Sequence, residues 1–156
     1  MLRKAFFAGL ITLTATSAHA AVVAVQSVEK EIIVNDENGT PQVKRVEADV
    51  VAPGEEVIYT LRYHNEDDQS AEALVLVMPV PGEIEYIEGS VIGNDARVAF
   101  SADNGQTYVG RGRLTIVENG NERPAKSNEI THIKWTMSEP LQAGKKGSVS
   151  FRGILR

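Results

Sequence analysis

Residues 55–65 read Glu55-Glu56-Val57-Ile58-Tyr59-Thr60-Leu61-Arg62-Tyr63-His64-Asn65, and their rhythm has a period of two. Val57, Tyr59, Leu61 and Tyr63 share one face, while Ile58, Thr60, Arg62 and His64 share the other. Alternation of this kind, rich in β-branched and aromatic residues, predicts a half-buried strand. The same period recurs near the end of the chain, where Val149, Phe151, Gly153 and Leu155 alternate with Ser148, Ser150, Arg152 and Ile154. Ile133, Trp135 and Met137 alternate likewise with His132, Lys134 and Thr136.

Working outward, Ala71–Met78 is almost continuously apolar, the pattern of a central strand covered on both faces. Further strands are predicted at Val22–Val34, Gln42–Val51, Ile84–Ile87, Ala96–Ser101 and Arg113–Glu118. Turn-forming stretches separate them: Asn35–Thr40, Pro79-Val80-Pro81-Gly82, Gly93-Asn94-Asp95 and Asn119-Gly120-Asn121. Within the first of these, Asn38-Gly39 supplies residues that tolerate positive φ. No window of a dozen residues repeats apolar positions at helical spacing. Nine or ten short strands in one domain predict an antiparallel β-sandwich of the immunoglobulin-like kind.

The first twenty residues follow different rules. A basic start (Arg3, Lys4), an apolar middle from Ala5 to Ala15 and the small-residue end Ala18-His19-Ala20 make up a secretory signal peptide. Cleavage is expected before Ala21. The apolar middle falls short of the roughly 20 residues that span a bilayer, so no anchor is expected to remain after cleavage. The expected location is periplasmic or secreted. Residues 21–156 then form a single domain, with Val22–Val51 as an added front hairpin.

With the leader gone, 16 basic residues fall to 14 against 21 acidic, and the formal charge moves from −5 to −7. Such a domain repels phosphate backbones, which argues against nucleic-acid binding. The chain contains no cysteine, so disulfides, thiolate metal sites and cysteine nucleophiles are excluded. Its fold has to rest on its apolar core.

Several motifs bear on chemistry. Ser101-Ala102-Asp103-Asn104-Gly105-Gln106-Thr107-Tyr108 has Asp-box spacing, in which Ser and Asp side chains tie down a turn and Gly takes the strained backbone position. One box cannot build a propeller of several blades, so turn-stapling is the expected role. The acidic stretch Glu66-Asp67-Asp68 offers oxygen ligands to calcium but lacks the ladder of a dedicated loop, and reads as a solvated connection. Glu83 and Glu85 fall on one face of a predicted strand, and nothing nearby supplies an apolar pocket to shift them or Glu88. His64 and His132 are placed on outward faces, without the partners of a zinc site. Nucleophile elbows and phosphate-cradling glycine loops are missing. The reading is therefore no catalytic residue, no metal site and no cofactor.

From Pro53-Gly54 through Val57–Asn65, then Ala73, Pro79 and Pro81, Tyr86, Gly89-Ser90, Trp135, Leu141, Ala143-Gly144 and Val149–Leu155, the order of motifs resembles the bacterial conserved repeat domain of unknown function. The resemblance covers Val51–Arg156. It implies an immunoglobulin-like module of surface and exported proteins, with an adhesive or structural role at the cell envelope. Two departures stand out: such modules come in tandem, and no sorting tail follows Leu155-Arg156. The expected function is a non-catalytic structural or protein-interaction module whose partner is another envelope protein or itself. The alternative is a carbohydrate-binding module, which predicts that Trp135 or Tyr108 is exposed as a stacking platform. Trp135 shares its predicted face with Ile133 and Met137, which favours the core.

Overall fold

A computed structural model describes residues 21–93 and 95–156. The predicted leader, Met1–Ala20, and the middle residue of the Gly93-Asn94-Asp95 turn lie outside the described residues. The described residues form ten strands: β1 Val22–Asn35, β2 Pro41–Glu47, β3 Glu56–Asn65, β4 Val75–Pro79, β5 Ile84–Tyr86, β6 Ala96–Ser101, β7 Thr115–Glu118, β8 Asn121–Pro124, β9 His132–Met137 and β10 Lys146–Leu155. Single 3-10 turns occupy Arg111–Arg113 and Ser127–Glu129. The chain is all-β, and every strand pair is antiparallel.

A five-stranded sheet in the order β2-β1-β3-β10-β5 faces a three-stranded sheet in the order β4-β9-β6, while β7 and β8 form a separate hairpin. Alternation puts Val57, Tyr59, Tyr63, Val149 and Phe151 of the larger sheet into the same core as Leu76, Met78, Phe100, Ile133 and Trp135 of the smaller. Tyr59 stacks on Phe151 with ring centroids 4.9 Å apart and planes 6° from parallel. Tyr86 of β5 tilts against Phe100 of β6 at 5.5 Å, bridging the two sheets. Two sheets closing on one dry interior make a β-sandwich.

Four strand expectations need correction. Ala71–Met78 is no central strand: only Val75–Pro79 forms β4, which pairs with β9 alone, and Ala71 contributes one bridge to Leu141. Ala73 has φ of +51°, which breaks the extended backbone between them. The run looked doubly buried because Val75 and Val77 are apolar, yet they are 49% and 42% exposed on the outer face. On β3 the reverse holds. Ile58 and Thr60, assigned to the solvent face, are buried, because β3 lies mid-sheet and the stems of Lys30, Glu31, Glu56 and Arg152 surround Ile58.

The other two corrections concern boundaries. β2 stops at Glu47; beyond it Ala48 and Val51 turn toward the core, which explains the apolar character of that segment. Arg113 belongs to a 3-10 turn, so β7 begins at Thr115. Asn119 and Gly120 both have positive φ, 53° and 80°, as a two-residue primed turn requires. They head a hairpin whose return strand β8 the sequence reading did not anticipate, since Asn-Glu-Arg-Pro carries no apolar alternation.

Candidate functional site

The feature that distinguishes this surface is the first half of β1. Val22–Glu29 pairs with β3, while β2 pairs only with Glu29–Asn35. The Ala21 carbonyl accepts from the Glu66 N–H at 3.0 Å, on the β3 side. The Val28 carbonyl accepts from the Ala48 N–H at 2.9 Å, on the opposite side. Backbone groups alternate sides along a strand. Val22, Ala24 and Gln26 therefore aim their N–H and C=O groups away from β3, where no described backbone group pairs with them.

The other margins of the two main sheets are guarded to different degrees. β5 is three residues long, and short edge strands resist pairing. β2 presents Lys44, Arg45 and Glu47 after Pro41. β4 also leaves an open margin at Val75 and Val77, which are 49% and 42% exposed, but it spans five residues and ends in Pro79; β6 is flanked by the bridge between Phe100 and Val109. Ala21–Val28, by contrast, contains no charge, proline or glycine. Its outer-face valines, Val23 and Val25, are 44% and 64% exposed. Both halves of a strand-addition site are present: free backbone groups and apolar side chains at alternate positions.

The concave surfaces offer different chemistry. A pit of about 260 Å³ above Ile58 is lined by Lys30, Glu31, Glu55, Glu56 and Arg152. Arg152 Nη2 lies 2.8 Å from Glu31 and its Nη1 2.6 Å from Glu56. The hydrogen bond from Arg152 holds the Glu31 carboxyl below the usual range, and the Ala52 N–H does the same for Glu55. Carboxylates held in that state are poorly matched to proton transfer near neutral pH. A second groove, about 360 Å³, runs past Arg97, Tyr108, Arg113 and Lys134. Lys134 Nζ sits 4.2 Å above the Tyr108 ring. Among the described residues, Arg97, Arg113 and Lys134 have no carboxylate within ion-pair distance. This groove is a cationic patch on an acidic protein.

The sequence motifs fall as follows. Ser101 Oγ donates to Asp103 Oδ1 at 2.6 Å, and Asp103 also accepts from the Gln106 and Thr107 N–H groups and the Thr107 hydroxyl. Gly105 takes φ of +81°. The box staples its turn. Asp67 accepts from the N–H groups of Asp68 and Gln69, so the acidic stretch is folded on its own backbone. Among the described residues no group of three His, Asp or Glu could hold a metal ion. Glu88 is bound by Arg111 and Ser127, far in role from any pairing with the exposed Glu83 and Glu85.

His64 sits 3.7 Å from Glu66 on a partly exposed face. His132 alternates with buried Ile133 and Trp135, on the outward face of β9, where it is half-buried beside the Gly105 turn with its Nδ1 enclosed. Trp135 is fully buried, which removes it as a stacking platform. The open β1 edge escaped the sequence reading because a strand's pairing partners are not written in its own alternation. The lack of any charge between Ala21 and Val28 was the available signal.

No helix among the described residues is long and apolar enough to cross a membrane. In comparisons with known proteins, the chain matches no family model, no curated protein and no solved structure. What fold and site define together is a class: an antiparallel β-sandwich whose first strand carries an open margin free of charge, proline and glycine.

Proposed function

We propose that this protein is an exported, non-catalytic interaction module of the bacterial envelope, related in kind to the immunoglobulin-like repeat domain that its motif order resembles. One observation carries the reading: the unpaired edge of β1 at Val22, Ala24 and Gln26, flanked by exposed Val23 and Val25. An edge of this type gains hydrogen bonds and apolar contact when another chain adds a strand. The signal-peptide pattern at Met1–Ala20 supports a site of action outside the cytoplasm, and cleavage before Ala21 would leave that edge close to the new amino terminus. The carbohydrate-binding alternative rests on Tyr108 alone once Trp135 is buried, and Lys134 already covers the Tyr108 ring.

Ala24→Pro tests the proposal cleanly. The Ala24 N–H faces the open side, so proline removes a donor that β3 does not use, and an edge strand tolerates it. Purified wild-type and variant protein are each offered to envelope extract and to themselves. Association that the wild type shows and A24P loses supports an interaction role through this edge. Identical behaviour of the two, with nothing retained and no self-association, sinks it.

A further inference from the structure

We propose that the strand received by the open edge is the same edge of a second copy, paired antiparallel about a twofold axis at Ala24. The proposal deepens the interaction reading above and rests on it. The β2 chain closes the edge at Val28, where Ala48 N–H bonds the Val28 carbonyl at 2.9 Å. Among the described residues of β1 and its approach, Ala21–Ser27 is the accessible stretch. Within that gap, residues that meet as hydrogen-bonded partners must both direct their backbone groups outward, which restricts the choice to Val22, Ala24 and Gln26.

Two registers satisfy that condition closely. Centring on Val25 sets Val22 of one copy against Val28 of the other, where Ala48 already sits. Centring on Ala24 sets Ala24 against its own counterpart, Val22 against Gln26, and Ala21 against Ser27, filling the gap without touching β2. Three facing pairs exchanging two bonds each give about six hydrogen bonds across the seam.

The side chains agree with this register. Val23 faces Val25 of the second copy, and Val25 faces its Val23, so the axis generates two valine pairs at the closely spaced positions of the ladder. Both valines are exposed in the single chain, at 44% and 64%. No side chain in the paired stretch carries charge, and the amino group left at Ala21 faces Ser27 rather than its own counterpart, so like charges do not meet across the axis even though each copy is acidic. Beside it on β3, Arg62 is already engaged by Glu29 at 2.8 Å. A twofold contact is isologous and closes at two chains, because the edge is consumed on both. The product is one ten-stranded sheet, five strands from each copy.

The chain has no native cysteine, so a single introduced thiol reports its own neighbour. In this register Ala24 and its counterpart lie about 5.5 Å apart at Cα, within the roughly 4.4–6.8 Å that a disulfide spans. Two copies of residue 25 stand diagonally, about 7–8 Å apart. The protein is expressed with its leader and studied in the form the cell yields. Light scattering over a dilution series should give about twice the chain mass at high concentration. Ala24→Cys should crosslink under mild oxidation while Val25→Cys does not. Ala24→Pro should stay monomeric, and Val25→Lys, which leaves every backbone bond to β3 intact, should show the same loss should the proline variant fold poorly.

Preferential crosslinking of V25C would overturn the Ala24 register. A monomer at all concentrations with no A24C crosslink would overturn self-pairing. Should that monomer still hold a different chain in a way A24P abolishes, only the second-copy assignment fails; with no A24P-sensitive association at all, the interaction reading falls with it.

Discussion

The carboxamide of Asn65 donates to the Leu141 carbonyl at 2.9 Å, joining loops that lie 76 residues apart in the chain. The same nitrogen donates to the Gln69 carbonyl at 2.7 Å, and Oδ1 accepts from the Asp67 N–H. Asn65 is completely buried at the end of β3. One side chain therefore satisfies both the loop that leaves β3 and the loop that enters β10, which a buried polar group must do to offset its desolvation.

Asn65→Ala leaves the Gln69 carbonyl and the Asp67 N–H without partners and removes one of two donors from the Leu141 carbonyl, which keeps the Ala71 N–H; it should cost about 2–4 kcal/mol in denaturant unfolding. Asn65→Asp is the sharper variant. It aims a carboxylate at two carbonyl oxygens in a buried site, so its folded pKa should rise above the unfolded value. The sign follows from linkage: the variant is most destabilised at neutral pH and recovers as acid protonates it. Unfolding of N65D measured from pH 7 down to 4 checks this, and a flat difference from wild type would contradict it.

Asp103 gives the opposite pH sign. Bonds from the Ser101 hydroxyl, then from the Thr107 hydroxyl and N–H, hold its carboxyl far below the ordinary aspartate value. Glu129, held by Arg123 and the Lys126 N–H, is lowered from 4.5 to about 2. Folded values below unfolded ones mean that both contributions are fully present above about pH 4.5 and fade as the pH falls toward 2. Wild-type Tm should therefore drop through that window. Asp103→Asn should lower Tm at pH 7 by about 5 °C and show a shallower acid decline, measured by circular dichroism melts at matched ionic strength.

Where alternation in the sequence coincided with one buried face, as in β9, the sequence and the structure agree closely. Legibility failed where burial came from something other than the strand's own period. Ile58 is covered by the stem of Arg152, which faces it across the β3–β10 ladder from far along the chain. Val75 and Val77 look like core residues but lie on the outer face of an edge strand. The Asp-box was legible because its bonds are local, joining residues within four positions. The open edge was not, because it is defined by where β2 ends rather than by anything within Val22–Val28.

Gly93 is fixed by Trp135. A Cβ on Gly93 would stand 2.4 Å from Trp135 Cδ1 and 2.7 Å from Nε1, and the indole is fully enclosed. Neither side can yield without opening the core, so Gly93→Ala should destabilise by about 1–3 kcal/mol. Trp135 is the only tryptophan, so its emission reports the site directly. The variant should show shifted native emission, whereas Gly110→Ala, with open space around its added Cβ, should leave emission unchanged.

Arg152 ties the front hairpin to the sandwich. Its guanidinium spans Glu31 on β1 and Glu56 on β3, and its stem shelters Ile58. The three charged side chains are 28%, 33% and 45% exposed, so water and salt screen each pair and the electrostatic share is small. Covering Ile58 matters at least as much, because a fully buried isoleucine would otherwise meet solvent. Arg152→Met keeps most of that cover and should cost less than 1 kcal/mol, while Arg152→Ala removes cover and charge together and should cost about 1–2 kcal/mol. High salt should narrow the gap between wild type and R152M but not that between R152M and R152A. Amide exchange should localise the effect, with Ile32 and Val34 of the hairpin exchanging faster in R152A while Val149 and Phe151 in the core keep their protection. Equal costs for the two substitutions would mean that charge, not cover, anchors the hairpin.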